Sequence, residues 1–281
     1  MLEARKPAYL LSFLVIIFAI VASILGLLQR GIYRDNDFVT SAWLANDAIT
    51  LFTAIPFMMV ALFFTIRGSL AWTIIWLGLL DYFLYNYSFY LFGAGFNPLF
   101  LLYVLIVGSS IYAMICGLAS FDRRNLIRSV SSRMPVRWIA IYLLFVAAGL
   151  TSIYVAQSLG YVVNGSLPEI VTRTDHPTSV VFALDLTLLV PAMVLGAVWV
   201  WQRKAWGYIL TGISLIKGTL YTLVLTSGAL FGTYRGIEGL VGEIPLWATL
   251  TLLGLTMNAV FFARIRNPYA MFSYTTTHEP E

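Results

Sequence analysis

The chain alternates long apolar stretches with short polar connections. A helix that crosses the hydrocarbon core of a bilayer needs roughly 20 apolar residues. Eight stretches meet that length: 8–28, 47–66, 69–93, 98–120, 136–158, 178–201, 205–230 and 245–265. A membrane β-barrel would instead show segments of about ten residues with alternating hydrophobicity. The pattern therefore predicts an all-α, polytopic integral membrane protein with eight transmembrane helices.

The composition agrees with this prediction. Hydrophobic residues make up 60% of the chain and charged residues 11%, whereas soluble domains carry about 25% charged residues. The mean hydropathy of +0.85 also excludes a disordered chain, because disorder requires low hydrophobicity. A water-soluble globule is excluded on the same grounds.

The positions of the charges predict the orientation of the chain. If the N-terminus is cytoplasmic and the spans alternate, twelve Lys and Arg residues fall on the inner side and four on the outer side. This bias is the positive-inside rule, and it predicts that both termini are cytoplasmic. The net charge of +4 thus indicates a lipid bilayer and not a nucleic acid as the partner. The outer side collects acids, among them Asp35, Asp37 and Asp47.

The sequence also contains an internal repeat. The stretches PFMMVALFFTIRGSLAW and PAMVLGAVWVWQRKAW both begin at a proline, and two further matches follow in the same order, at offsets of 135, 136 and 147 residues. Because each half has four spans, both halves enter the membrane in the same orientation, as parallel repeats. The predicted units are a first four-helix repeat, a basic cytoplasmic linker, a second four-helix repeat and a cytoplasmic tail, at 1–120, 121–135, 136–267 and 268–281.

Two prolines lie in the middle of spans, at equivalent positions of the two repeats. Pro56 and Pro191 each deprive a carbonyl one turn earlier, at Phe52 or Thr187, of its hydrogen-bond donor. Both are predicted to kink their helices. Paired kinks could open a central cavity, or they could be inherited packing bends, which membrane helices tolerate.

Two charges fall at the centres of predicted spans. Asp81 lies in the third span and Lys217 in the seventh, at matching places in the repeat. Each charge costs roughly 2.5–3.5 kcal/mol if it faces lipid, so we expect an ion pair between them across the repeat axis. The predicted polar site consists of these two residues and the polar groups nearest to them: Tyr85, Tyr221, Asn86, Ser214 and Asp185.

Three functions remain open at this point. The first is a transporter-like or channel-like protein that binds a small solute or ion at the midplane, which predicts a central cavity. The second is an accessory or scaffold protein with a structural Asp–Lys pair, which predicts a dry and tightly packed centre. The third is a lipid-modifying enzyme, which predicts a lateral opening beside the charges. The sequence specifies neither a substrate nor an oligomeric state.

The sequence does not indicate a disulfide, a metal site or a known catalytic motif. The chain has one cysteine, Cys116, and two histidines, His176 and His278, which are too few for an intramolecular disulfide or an ordinary metal site. Phosphate-binding, zinc-protease and serine-hydrolase motifs do not occur. We therefore predict no metal, no cofactor and no catalytic residue.

A limited resemblance adds to this picture. Residues 184–221, LDLTLLVPAMVLGAVWVWQRKAWGYILTGISLIKGTLY, together with residues 85–103, YNYSFYLFGAGFNPLFLLY, resemble a group of uncharacterised prokaryotic multi-pass membrane proteins. The resemblance covers about a fifth of the chain. It implies a prokaryotic inner membrane as the location, and it carries no activity to this chain.

Overall fold

The computed structural model describes residues 2–266, with side chains from residue 5 onward. The predicted tail, 268–281, and the last residue of the predicted second repeat lie outside the described residues. The α-helices are α1 Leu2–Leu28, α2 Asp37–Ile49, α3 Ile55–Ile66, α4 Leu70–Gly93, α5 Phe100–Ala119, α6 Arg123–Ser129, α7 Val136–Asn164, α8 Glu169–Thr174, α9 Val180–Leu184, α10 Val190–Trp201, α11 Ala205–Tyr234 and α12 Ile244–Phe262.

The protein is all-helical, and seven helical stretches among residues 2–266 are long and apolar enough to cross a membrane. Several of them join two elements, because α2 continues into α3 and α9 continues into α10. The seven are Arg5–Leu28, Asp37–Ile66, Phe100–Ala119, Val136–Asn164, Val180–Trp201, Ala205–Tyr234 and Leu240–Phe262. They indicate a membrane-embedded protein.

The remaining predicted span forms α4, which is absent from that set. Its 24 residues include Asp81, Asn86 and four tyrosines, which lower its hydropathy. Fifteen of the 24 residues are buried, so the polar groups of α4 lie mainly within the protein.

Helices α4 and α11 pack closely against each other at the centre. A Cβ atom added at Gly78 would lie 2.7 Å from Ile216 Cβ and 3.3 Å from Ile213 Cα, and one added at Gly212 would meet the Ile74 side chain. Glycines at such contacts allow two helix backbones to approach. α1 and α5 pack beside α4 on one side, and α10 and α12 pack beside α11 on the other.

Each predicted proline kink coincides with a five-residue π turn. The turns are Thr50–Ala54 and Asp185–Leu189, and Pro56 and Pro191 each follow as the second residue of the next α-helix. A π turn accommodates one extra residue by bonding each carbonyl to the fifth residue onward. The helices therefore continue through both prolines with a locally widened backbone.

The connections that follow these helices are also alike. Gly68 and Arg203 both adopt a left-handed conformation, with φ of 88° and 56°. The same pattern of backbone hydrogen bonds closes both turns, and α4 and α11 then begin at Leu70 and Ala205. The π turns, the left-handed residues and these helix starts are all separated by 135 positions.

On the predicted outer side, a buried carboxylate joins segments from the two halves. Asp35 accepts hydrogen bonds from Trp43 Nε1 at 3.1 Å and from the Gly95 amide at 2.9 Å, and it lies 3.4 Å from His176 Nε2. Burial raises the pKa of Asp35, but the contacts with His176, Gly95 and Trp43 together outweigh it and hold the pKa below its ordinary value of 3.8. The ionised form is therefore the one that the fold stabilises.

We expect Asp35 to make the stability of the protein depend on acid pH. A carboxyl group with a lowered pKa stabilises the fold above its ordinary pKa and loses that contribution as the pH falls through the folded value. Asp35→Asn should therefore cost about 1–2 kcal/mol at pH 7, and the difference from wild type should shrink below about pH 4. Thermal unfolding in detergent from pH 7 to pH 3 measures this. Asp37→Asn, at an exposed residue, is the control; an equal and pH-independent loss in both variants would contradict the assignment.

Candidate functional site

The polar centre of the protein is built around an ion pair. Lys217 lies in the middle of α11, and its Nζ atom is 3.8 Å from Oδ1 of Asp185, the first residue of the second π turn. The two side chains are 1% and 0% exposed. A buried charge is costly unless it is paired, so the two residues neutralise each other.

Two tyrosine hydroxyls hold the Asp185 carboxylate. Tyr85 of α4 donates to Oδ1 at 2.7 Å, and Tyr154 of α7 donates to Oδ2 at 2.9 Å. Because Tyr85 belongs to the first half of the chain and Tyr154 to the second, the carboxylate connects both halves. Hydrogen bonds to an ionised acceptor are stronger than neutral ones, and these two fix the position of the Asp185 side chain.

The Lys217 ammonium group is held by aromatic faces. Nζ lies 3.4 Å from the ring centroid of Tyr85 and 5.0 Å from that of Tyr221. Such cation–π contacts stabilise a desolvated ammonium group by about 2 kcal/mol. Within the described residues, however, Nζ has no hydrogen-bond partner. The cation is thus charge-paired and stacked, but its N–H groups are not satisfied.

The structure pairs Lys217 with Asp185, and not with Asp81 as predicted. Asp81 has no ion-pair partner in the described part of the chain, and it acts on Lys217 only over a longer distance. The helix starts are 135 residues apart, whereas the predicted pair assumes 136. A shift of one residue rotates a side chain by about 100° around a helix, which explains the difference. At an offset of 135, the counterpart of Lys217 is Tyr82.

The first half contains the neutral counterpart of the ion pair. The hydroxyls of Thr50 and Tyr82 are 3.0 Å apart, and these residues lie 135 positions before Asp185 and Lys217. The two halves therefore place side chains in contact at equivalent positions. In the first half the contact is a hydrogen bond, and in the second it is an ion pair.

The other predicted site residues are divided between two places. Asp185, Tyr85 and Tyr221 lie around Lys217, and Ser214 is buried one turn earlier on α11. Asn86 instead belongs to the Thr50–Tyr82 contact region, where its Oδ1 accepts a hydrogen bond from Asn46 Nδ2 at 2.8 Å.

Another buried carboxylate, that of Asp47, was not predicted from the sequence to lie in the interior. Asp47 is 2% exposed and accepts hydrogen bonds from the hydroxyls of Tyr33 and Tyr90. The sequence placed it among the outer acids, because the apolar run begins only there. α2 begins ten residues before Asp47, and the side chain of Asn36 caps it by accepting a hydrogen bond from the Val39 amide. Asp47 therefore lies in the third turn of a buried helix.

Two cavities of the described part lie away from the ion pair. One, of about 530 Å³, lies between the linker and the end of α12. Another, of about 40 Å³, lies among α1, the start of α4 and the end of α5. Neither of these two cavities is lined by Lys217 or Asp185.

The described residues contain no group of three or more His, Cys, Asp or Glu side chains placed to hold a metal ion. The centre instead contains two carboxylates and one ammonium group: Asp81 and Lys217 lie near the middle of α4 and α11, and Asp185 begins the second π turn. Comparison of the chain with protein-family models, curated proteins and solved structures gives no match, so the functional argument rests on this geometry.

Proposed function

We propose that this chain is a transporter-like protein of a prokaryotic inner membrane, with a site for a small cation, above all a proton, between two repeats. The observation that carries the proposal is Lys217. It is buried at the contact of α4 and α11, it is paired with Asp185, and its N–H groups have no hydrogen-bond partner in the described structure. Intramembrane charges of this kind commonly belong to ion or proton pathways.

The proposed architecture has eight spans in two parallel four-helix repeats. α4 is the additional span, since 24 residues make a helix about 36 Å long and the hydrocarbon core is about 30 Å thick. The repeat is supported by the shared offset of 135 residues between the π turns, the prolines and the turns before α4 and α11. The bias of basic residues supports cytoplasmic termini.

The charge of the centre supports a cation as the substrate. If Asp81, Asp185 and Lys217 are all ionised, the three groups carry a net charge of −1. A net charge inside a membrane protein is costly, and an additional proton or a small bound cation removes it. The site as a whole therefore favours the uptake of one positive charge.

The incomplete hydrogen bonding of Lys217 supports exchange over a permanent clamp. A buried ion pair stabilises a fold only when its remaining donors and acceptors are also satisfied. Asp185 meets that condition through two tyrosines, and Lys217 does not. We propose that one repeat rocks against the other across the α4–α11 contact, which opens the centre alternately to the two sides.

Cysteine accessibility tests this proposal. In a Cys116→Ala background, Ser214→Cys introduces a thiol of nearly the same size one turn from Lys217, where the native side chain is 2% exposed. If the centre opens, a membrane-impermeant methanethiosulfonate reagent should label this thiol from one side of sealed vesicles. A minor open state of 0.1–10% is enough to give labelling at least about tenfold above that of a permanently buried thiol.

Ser110→Cys is the matched control, because Ser110 is also fully buried, on α5 and away from the ion pair. The two variants should have the same melting temperature as the background protein. Equal, negligible labelling of Ser214→Cys and Ser110→Cys would show that the centre stays closed, and the transport proposal would then fail.

One observation favours a second candidate, a scaffold protein with a structural pair. Asp185 and Lys217 are almost completely shielded, as a dry centre requires. The labelling experiment separates the two candidates directly. A lipid-modifying enzyme is less well supported, because it needs an opening to the bilayer beside these charges.

A further inference from the structure

Arginines from two distant segments of the chain meet at one cavity of the described structure. Arg128 and Arg133 belong to α6 and the linker after it, and Arg264 and Arg266 follow the end of α12. Together they line a space of about 530 Å³. No acidic side chain is among the residues that line it, so the cavity has a strong positive charge with no internal compensation.

The cavity has a defined backbone frame. The Ser131 amide donates to the Arg264 carbonyl and the Arg266 amide donates to the Ser129 carbonyl, both at 2.9 Å, around an antiparallel bridge between Val130 and Ile265. These bonds fasten the linker to the end of the last helix. The four arginines are therefore brought together by the fold and are not merely close in sequence.

A further arginine holds the other side of the linker. Arg203, the left-handed residue before α11, donates from Nη2 to the carbonyls of Ser132 at 3.1 Å and Met134 at 3.4 Å. The linker is thus fixed at both edges of the cavity. Because the linker is already fixed, less conformational entropy is lost when a ligand binds there.

The location of the cavity indicates the kind of ligand. It lies between the linker and the residues that follow α12, on the side that the bias of basic residues indicates to be cytoplasmic. Basic pockets on the cytoplasmic side of a membrane protein suit phosphate groups. Guanidinium groups also match phosphate geometry through paired hydrogen bonds.

We propose that this cavity binds a phosphate group, supplied by the headgroup of an anionic phospholipid. The arginines provide the charge, and the linker connects the two halves of the chain, so the bound headgroup lies where it can stabilise their relative position. This site is distinct from the Lys217 centre and does not depend on the function proposed for it.

Lipid binding to the purified full chain tests the proposal. Native mass spectrometry with added phosphatidylglycerol or phosphatidylcholine should show preferential retention of the anionic lipid. The paired substitutions Arg128→Gln/Arg133→Gln and Arg264→Gln/Arg266→Gln should each weaken this retention about 30-fold, because each basic group near a headgroup contributes appreciably. Competition with millimolar inorganic phosphate separates the two sources of the ligand. Displacement of the bound lipid by phosphate would indicate a soluble phosphate compound as the ligand, and retention of the lipid would indicate the headgroup.

The pair Arg124→Gln/Arg137→Gln is the matched control. It removes the same charge from the same side of the protein, but neither residue lines the cavity. Retention of the anionic lipid should remain at the wild-type level in this control. An equal loss in all three double variants would show only diffuse attraction to basic residues, and an unchanged retention in the two cavity variants would leave the cavity without a role; either result overturns the proposal.

Discussion

Asp185→Asn should lower the free energy of unfolding by about 3–5 kcal/mol, because it removes the counter-charge of a buried lysine. The asparagine keeps the size of the side chain; its oxygen can accept a hydrogen bond from one tyrosine, and its NH2 group can donate to the hydroxyl oxygen of the other. The loss therefore reports the charge and not the packing. Unfolding in detergent, followed by intrinsic tryptophan fluorescence, measures it.

The companion substitution distinguishes which carboxylate is the partner. Lys217→Met removes the cation and leaves Asp185 with two hydrogen-bond donors, so we expect a smaller loss than for Asp185→Asn. In the double variant Asp185→Asn/Lys217→Met the uncompensated charge is gone, and part of the stability should return. The interaction energy of this cycle should exceed about 1 kcal/mol.

The same cycle with Asp81→Asn is the control. Asp81 lies outside ion-pair distance of Lys217, so its coupling should be clearly weaker than that of Asp185. If Asp81 couples more strongly, the working arrangement of the charges differs from the one described above, and the pair predicted from the sequence is the stable one. Melting temperatures of the three single and two double variants decide between these results.

The seven long apolar helical stretches could be predicted from the sequence because a helix that spans a bilayer has to match its thickness. The polar residues Lys217, Tyr85, Tyr221 and Asp185 were recognisable because they interrupt apolar spans. Their pairing was not, since it depends on helix rotation: the π turns at Thr50 and Asp185 add one residue to a turn, and no periodicity in the sequence marks this addition.

The residues that sequence reasoning missed share one physical property. Tyr154 and Asp47 lie in helices whose partners approach from distant parts of the chain, and a single tyrosine in an apolar span is ordinary. Asp47 was misplaced because the start of α2 could not be read from the apolar run. The cap at Asn36 extends the helix beyond its apolar run, and this extension moves the carboxylate from a predicted surface loop into the interior.

The two halves differ in the chemistry at equivalent positions, and this difference gives the centre its charge. Thr50 and Tyr82 form a neutral contact where Asp185 and Lys217 form an ionic one. A repeat with charges in both halves would bury two ion pairs. Instead, the second half supplies both members of the ion pair, and the first supplies Tyr85, which contacts both of them.

Gly78→Ala should destabilise the protein by about 1–3 kcal/mol, the usual cost of overpacking a tight interface. The new methyl group would lie 2.7 Å from Ile216 Cβ, a branch point that cannot rotate away, and 3.3 Å from Ile213 Cα. α4 and α11 would have to separate by a few tenths of an ångström. Because Lys217 follows directly after Ile216, the separation should also disturb the ion pair.

Gly108→Ala is the control, because nothing lies within 4 Å of a Cβ atom added there. It should remain within about 1 kcal/mol of wild type, since only helix propensity changes. Combined with Ser214→Cys, Gly78→Ala should also alter the labelling rate, whereas Gly108→Ala should not. A Gly78→Ala protein with wild-type stability and wild-type labelling would mean that the α4–α11 contact is looser than described, and the halves would then have to move about another interface.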